Sequence, residues 1–316
     1  MSKNNKSCIA KKTSIGGQAL IEGIMMRGPK QSAMAVRNPQ GEIVLEKWDN
    51  TPADKKTNLI DKLKKIPVVR GVFNFASSMA SGYKSLMRSA EISGFDEDEK
   101  EPSKGLMAFI GIVAGVLGVL LSVVLFIFLP TFIYDLIAMI PGLSFMKGQP
   151  FLKSLFEGIL KIIILVGYMA LVSRMKDIKR TFQYHGAEHK TIFCYEAGEE
   201  LTVENVRKQG RFHPRCGTSF LIVMVIVGVF IGLLIPAGLH SLVRTAIKLL
   251  LLPLTMGIGY EFIKFAGKHE NAFTKILSAP GLWMQRITVL EPTDDMIECA
   301  IAAVNEVIPE DGSDLI

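Results

Sequence analysis

Between Leu106 and Tyr134 the chain reads LMAFIGIVAGVLGVLLSVVLFIFLPTFIY, without one charged side chain. A helix needs about 20 apolar residues to cross the hydrocarbon core of a bilayer. There the backbone must satisfy its own hydrogen bonds, so helix is the economical solution. The run therefore predicts a transmembrane helix over 105–134. Thr218 to Val243 is equally free of charge and predicts a second over 218–243. Two weaker candidates complete the set. Segment 155–172 carries Glu157 and Lys161 near its start, and segment 245–265 carries Lys248 near one end and Glu261 and Lys264 near the other. Charges near span ends reach the interface by snorkelling. The expected fold is a predominantly α-helical integral membrane protein with about four transmembrane helices and a small cytoplasmic α+β region. The first run starts more than 100 residues into the chain, unlike a cleaved signal peptide.

Charge placement predicts orientation. Segment 173–217 holds Arg174, Lys176, Lys179, Arg180, Lys190, Arg207, Lys208, Arg211 and Arg215, whereas 135–154 holds only Lys147 and Lys153. The excess of Lys and Arg puts 173–217 in the cytoplasm, and four spans put both termini there too. The net charge of +6 then faces anionic lipid. No basic–aromatic pattern points to nucleic acid. The expected partners are the lipid bilayer and a protein, either a different chain or a second copy. The cysteines Cys8, Cys194, Cys216 and Cys299 fall on the reducing side in this topology, where thiols serve as ligands rather than disulfides.

Outside the spans, residues 1–13 read as a disordered start. Region 14–104 opens with SIGGQALIEGIMMRGP, rich in glycine but lacking the endings of phosphate loops. Its glycines suit tight turns and close packing. SAMAVRNPQGEIVLEKW (32–48) predicts a hairpin about NPQG. Residues 67–93 predict an amphipathic helix entered at Pro67, with FDEDEKEPSKG (95–105) as an acidic linker. In region 266–316, APGLWMQRITVLEP reads as a loop with a short strand, and TDDMIECAIAAVNEVI (293–308) as a helix with one apolar face.

The chemistry concentrates at HGAEH. On a helix His185 and His189 lie at i and i+4, with Glu188 beside them. Imidazoles on adjacent turns can share one metal ion, and a nearby carboxylate can take a proton from an activated water. H-x-x-E-H is also the inverzincin pattern. A second cluster, HPRC, supplies His213 and Cys216, resembling half of a Cys/His zinc site. The metal candidates are therefore His185, His189, His213 and Cys216, with zinc as the expected divalent cofactor and Glu188 as the catalytic base. An open site would use the three histidines, and a closed structural site would add Cys216. Glu261 is a further geometric candidate. Without metal, the same histidines would cap helix ends and contact headgroups. No G-x-S-x-G elbow is present, and nothing local marks Cys194 or Cys216 as a nucleophile.

Several segments in order, GGQALIEGIMMRGP (16–29), PVVRGVFNF (67–75), YHGAEHKTIFCYE (184–196), LTVENV (201–206), HPRCGTSF (213–220) and APGLWMQRIT (279–288), resemble the YqhQ family of bacterial membrane proteins. The resemblance runs from about residue 14 to 308. It implies an integral membrane protein of a family of unknown function described as predicted metal-dependent enzymes. Its motifs cover His185, Glu188, His189, His213 and Cys216, and also Glu22, Arg27 and Arg70, which would line the same cytoplasmic cavity. Two functional expectations follow. One is a metal-dependent hydrolase with its site at the cytoplasmic membrane face. The alternative is a non-catalytic membrane assembly or interaction factor, with a structural zinc site or none. The spans lack the duplication expected of a transporter.

Overall fold

The computed structural model describes residues 12–50, 66–94, 104–268 and 272–315. Most of the expected disordered start and acidic linker, with Cys8 and His269, lies outside the described residues.

Four antiparallel strands form a meander in sequence order: β1 (Gly16–Leu20), β2 (Gly23–Arg27), β3 (Gln31–Arg37) and β4 (Ile43–Asp49). The expected hairpin is β3–β4, in register from Gln31 opposite Asp49 to Arg37 opposite Ile43. The glycine-rich segment is itself a hairpin, with Glu22 at φ 49° in its two-residue turn. Side chains alternate across a strand, and β2 and β3 are buried on both faces. Ile24, Met26, Ala33 and Ala35 face a core shared with α5 (Lys176–Glu196) and α11 (Asp294–Val307). Leu20, Met25, Met34 and Val36 face the other way, against Leu86 and Ile92 of α1 (Val69–Ile92). The expected helices over 67–93 and 293–308 are α1 and α11. The two ends of the chain meet, because Thr13 bridges Leu315 and its hydroxyl donates to Asp314 at 2.6 Å.

The remaining helices are α2 (Lys104–Val123), α3 (Leu129–Ile137), α4 (Pro150–Val172), α6 (Val203–Lys208), α7 (Thr218–Leu233), α8 (Ser241–Leu250), α9 (Leu252–Lys268) and α10 (Ala272–Thr288). A π turn over Val124–Phe128 joins α2 to α3. It precedes Pro130, which has no N–H to continue the α ladder. Phe109–Ile137 and Pro150–Val172 are long and apolar enough to cross a membrane. Every side chain from Phe109 to Ser122 is exposed, an arrangement that suits lipid and not water.

The four expected spans need correction. The uncharged run 218–243 is not one helix, since α7 stops at Leu233 and α8 starts at Ser241. Pro236 cannot extend the ladder, and the buried Arg244 guanidinium takes the freed carbonyls. It donates to Ile235 O at 2.7 Å, Pro236 O at 3.1 Å and Gly232 O at 3.1 Å. Segment 245–265 is likewise broken at Leu251, with 50° between α8 and α9. Among the described residues two helices, or three with that bent pair counted as one span, are thus long and apolar enough. The expected loop of 173–217 is mostly helix, in α5 and α6. The expected loop and strand over 279–292 is α10 as far as Thr288, with Pro280 inside it.

Candidate metal centre

α5 presents Tyr184, Ala187 and Cys194 to the core. Gly186 lies against the chain at Leu290, where a Cβ would overlap the Leu290 carbonyl oxygen. This close approach brings the end of α10 beside the histidine turn. His185 Nδ1 lies 3.0 Å from Thr288 O, and His189 Nδ1 lies 2.6 Å from Arg211 O. A carbonyl only accepts, so each Nδ1 carries the hydrogen and each Nε2 keeps its lone pair. The main chain thus fixes tautomer and ring orientation, as it does around metal-ligating histidines.

Those lone pairs meet Cys216. His185 Nε2 is 3.2 Å from its sulfur. Ligand atoms of His185, His189 and Cys216 all lie within 4.8 Å of one another. Cys216 comes from the turn before α7, where the Thr218 N–H points at its sulfur from 3.5 Å and the Thr218 hydroxyl lies 3.3 Å away. His189 and Cys216 are buried and His185 half-buried. Burial, the largest influence, pulls His189 below the ordinary imidazole value and keeps it neutral. Two imidazole nitrogens and one sulfur match the donor types of zinc, and three protein ligands leave a fourth position open.

Glu188 stands beside this cluster, 6% exposed. Its Oε1 accepts the Gly17 N–H at 3.0 Å. Burial pushes its carboxyl up, against the smaller opposing effects of His185 and that N–H. A Cβ on Gly17 would crowd Met26, Met25 O and the Glu188 carboxyl, so this contact needs glycine. A cavity of about 350 Å³ lies over the cluster, walled by His185, Glu188, His189 and Cys216 on one side and Thr13 to Gly17 on the other.

His213 borders the cavity but faces elsewhere. Its ring centre is 5.6 Å from that of His189. Its Nδ1 accepts the Arg215 N–H at 3.3 Å, and its Nε2 lies 3.7 Å from Glu196. The Gln285 amide clamps the His213 backbone through two 2.8 Å hydrogen bonds. Glu196 also receives Arg215 and, at 2.8 Å, the Thr13 N–H. Burial opposes its charge, yet the bonds from His213, Thr13 and Arg215 outweigh that and hold it down at about 2.

The other family-motif residues lie apart from the cluster. Glu22 pairs with Arg180 and receives the Tyr184 hydroxyl at 3.3 Å. Arg70 pairs with Glu261, Nε to Oε1 at 2.6 Å, so Glu261 is engaged away from the histidines. Arg27 is exposed and lines a different hollow. Cys194 and Cys299 are core thiols, each pushed up to about 11 by burial. His240 caps α8 by accepting the Leu242 N–H at 3.4 Å. Sequence reasoning missed Thr288, Arg211, Gly17, Glu196 and Gln285. The first two act through carbonyls, which any residue supplies. Gly17, Glu196 and Gln285 sit inside the motif segments but carry no chemical signature of their own.

A small sheet packed on helices, with helices fit for a membrane beside a His/His/Cys cluster, defines the class. The chain belongs to the family described as "Protein of unknown function (DUF1385)", whose model matches residues 66–310. It is 38% identical over 302 residues to the "Uncharacterized protein YqhQ" of Bacillus subtilis (strain 168), covering 93% of this chain and 92% of that one. No solved structure matches.

Proposed function

We propose that the chain is a multi-pass membrane protein carrying a metal-dependent hydrolytic site. The observation that carries this is the convergence of His185 Nε2, His189 Nε2 and Cys216 Sγ, with both Nδ1 atoms held by carbonyls. A divalent ion, zinc by donor type, would supply Lewis-acid activation of water there. His185, His189 and Cys216 would hold it, and His213 instead contacts Glu196 and Arg215. Glu188 takes the proton from the attacking water, its basicity raised by burial. Thr13 to Gly17 wall the cavity on the side facing the reacting centre. The basic segment 173–217 argues for a cytoplasmic site. The core that the N-terminal sheet and C-terminal helix share with α5 supports termini on the same side as the site.

The test is metal content of detergent-purified full chain by inductively coupled plasma mass spectrometry. About one zinc per chain is expected, lost in His185→Ala and Cys216→Ser and kept in Glu188→Gln and His213→Ala. No metal after zinc reloading, or equal loss in His213→Ala, overturns the assignment. The 3.2 Å contact of Cys216 with His185 favours a second reading, a thiol nucleophile with a histidine base. Fast alkylation of Cys216 in metal-free protein, slowed by His185→Ala, with no zinc bound at any stage, would select it.

A further inference from the structure

α4 carries Lys153, Glu157 and Lys161 at successive four-residue steps, so one face of an otherwise apolar helix is charged. Glu157 is 2% exposed and fully engaged. It accepts from Thr131 Oγ1 at 2.8 Å, Arg244 Nε at 3.2 Å and Lys248 Nζ at 2.7 Å. Lys153 has its own acid, Asp135, at 2.5 Å. Lys161, at the middle of α4, has none. It makes no hydrogen bond or ion pair among the described residues. Around Glu157 stand three cations, Lys161, Arg244 and Lys248, and among the described residues the only carboxylate they meet is Glu157 itself.

Lys161 and Lys248 both border a cavity of about 780 Å³, within the roughly 300–1,000 Å³ of ligand pockets. Its other walls are mostly apolar, including Leu165, Leu221, Met224 and Leu252. An unpaired ammonium in apolar surroundings is costly unless an anion meets it. A mostly apolar cavity with two lysines on its wall has the polarity of an amphiphile.

We propose that this cavity binds an anionic amphiphile, its carboxylate or phosphate head on Lys161 and Lys248 and its acyl chain along α7. Neutral tails alone would fill the space but leave Lys161 without a counter-ion, so the head chemistry decides selectivity. The site is independent of the His/Cys cluster and stands whether or not that cluster binds metal.

Native mass spectrometry of the full chain in a non-ionic detergent reads occupancy directly. The probes are phosphatidylglycerol, phosphatidylcholine, oleate, methyl oleate and inorganic phosphate. One phosphatidylglycerol or one oleate per chain is expected, with the neutral-headed or zwitterionic counterpart about tenfold weaker or more. The tighter of the two identifies the source as membrane lipid or free fatty acid. Lys161→Gln should lower that affinity about tenfold or more, and Lys161→Arg should retain it. Lys161→Gln should unfold at the same temperature as the parent or higher, since it removes an unpaired charge. Equal retention of oleate and methyl oleate, inorganic phosphate binding as tightly as the amphiphile, unchanged affinity in Lys161→Gln or a lowered unfolding temperature would each overturn the proposal.

Discussion

The histidine turn of α5 and the charged face of α4 both bury polar groups, by opposite means. At the histidine turn burial pulls the His189 imidazole below its ordinary value and pushes the Glu188 carboxyl above its own. Each imidazole is oriented by a main-chain carbonyl. On α4 the groups are ions, held by one another and by the open end of α7. Side chains oriented one by one by the main chain make a site that can lose a member and stay folded. A mutual ion cluster cannot, because each member is the solvation of the next. Removing a paired ion of the Glu157 cluster should therefore cost stability, and removing His185, His189 or Cys216 should cost binding.

The largest effect is expected where that contrast is sharpest. Glu157→Gln leaves Arg244 and Lys248 without their carboxylate in a buried setting, and breaking a buried pair in this way costs about 3–5 kcal/mol. Denaturant unfolding in detergent measures it. A loss below about 1 kcal/mol, the range of an exposed pair, would mean that water reaches the cluster and the comparison fails.

Acid sharpens the other side of the comparison. Glu196 is held at about 2 against an ordinary carboxyl value of 4.5. A depressed carboxyl stabilises the fold above its unfolded value, and that stability is lost as pH falls through its folded value. The strap joining Thr13, Glu196 and Arg215 should therefore weaken between about pH 4.5 and pH 2, by about 3 kcal/mol at most. Glu196→Gln should flatten that limb of the pH–stability curve. An unchanged limb would show that the strap is open in solution.

Gly186→Ala ranks next. Its Cβ would overlap the Leu290 carbonyl, a main-chain obstacle that cannot rotate away. The overpacking should cost about 1–3 kcal/mol. It should also separate His185 from Thr288, so zinc affinity falls although no ligand is removed. Zinc affinity equal to the parent's would show that the Thr288 carbonyl does not orient the ring.

Gly186 also shows how far the sequence could be read. In the sequence it is a flaw in a helix, costing propensity inside HGAEH. In the fold it is the reason α10 can approach the histidines. The helical placement of His185, Glu188 and His189 was legible because i, i+4 spacing is local. The choice of Cys216 at the cluster, with His213 turned to Glu196, was not, because HPRC permits either residue to face inward. The apolar runs announced helices fit for a membrane. They did not reveal where α7 stops, since the break depends on Arg244 returning from α8 to take its last carbonyls. The hairpin at NPQG was legible from its turn residues. The one at Ile21–Glu22 was not, because its turn carries no Gly, Asn or Pro and Glu22 is held at positive φ by Arg180 and Tyr184. Lys161 read as a charge near a span end, where snorkelling disposes of it. Only the packing shows it facing a cavity without an acid.

The smallest effect is the most direct probe of Glu188. Its folded carboxyl is raised by burial, so relative to the unfolded chain it favours the fold at low pH. That advantage is lost as pH rises through the folded value. Glu188→Gln copies the protonated form and can still accept the Gly17 N–H. In metal-free protein the parent and this variant should be equally stable near pH 4. The variant should become the more stable of the two as pH rises toward 8. Thermal unfolding across that range, with chelator present, measures the gap. If the gap opens the other way, Glu188 is stabilised as an anion in the fold. Its proton affinity would then be too low for the base assigned to it, and the charge logic of α4 would extend to α5.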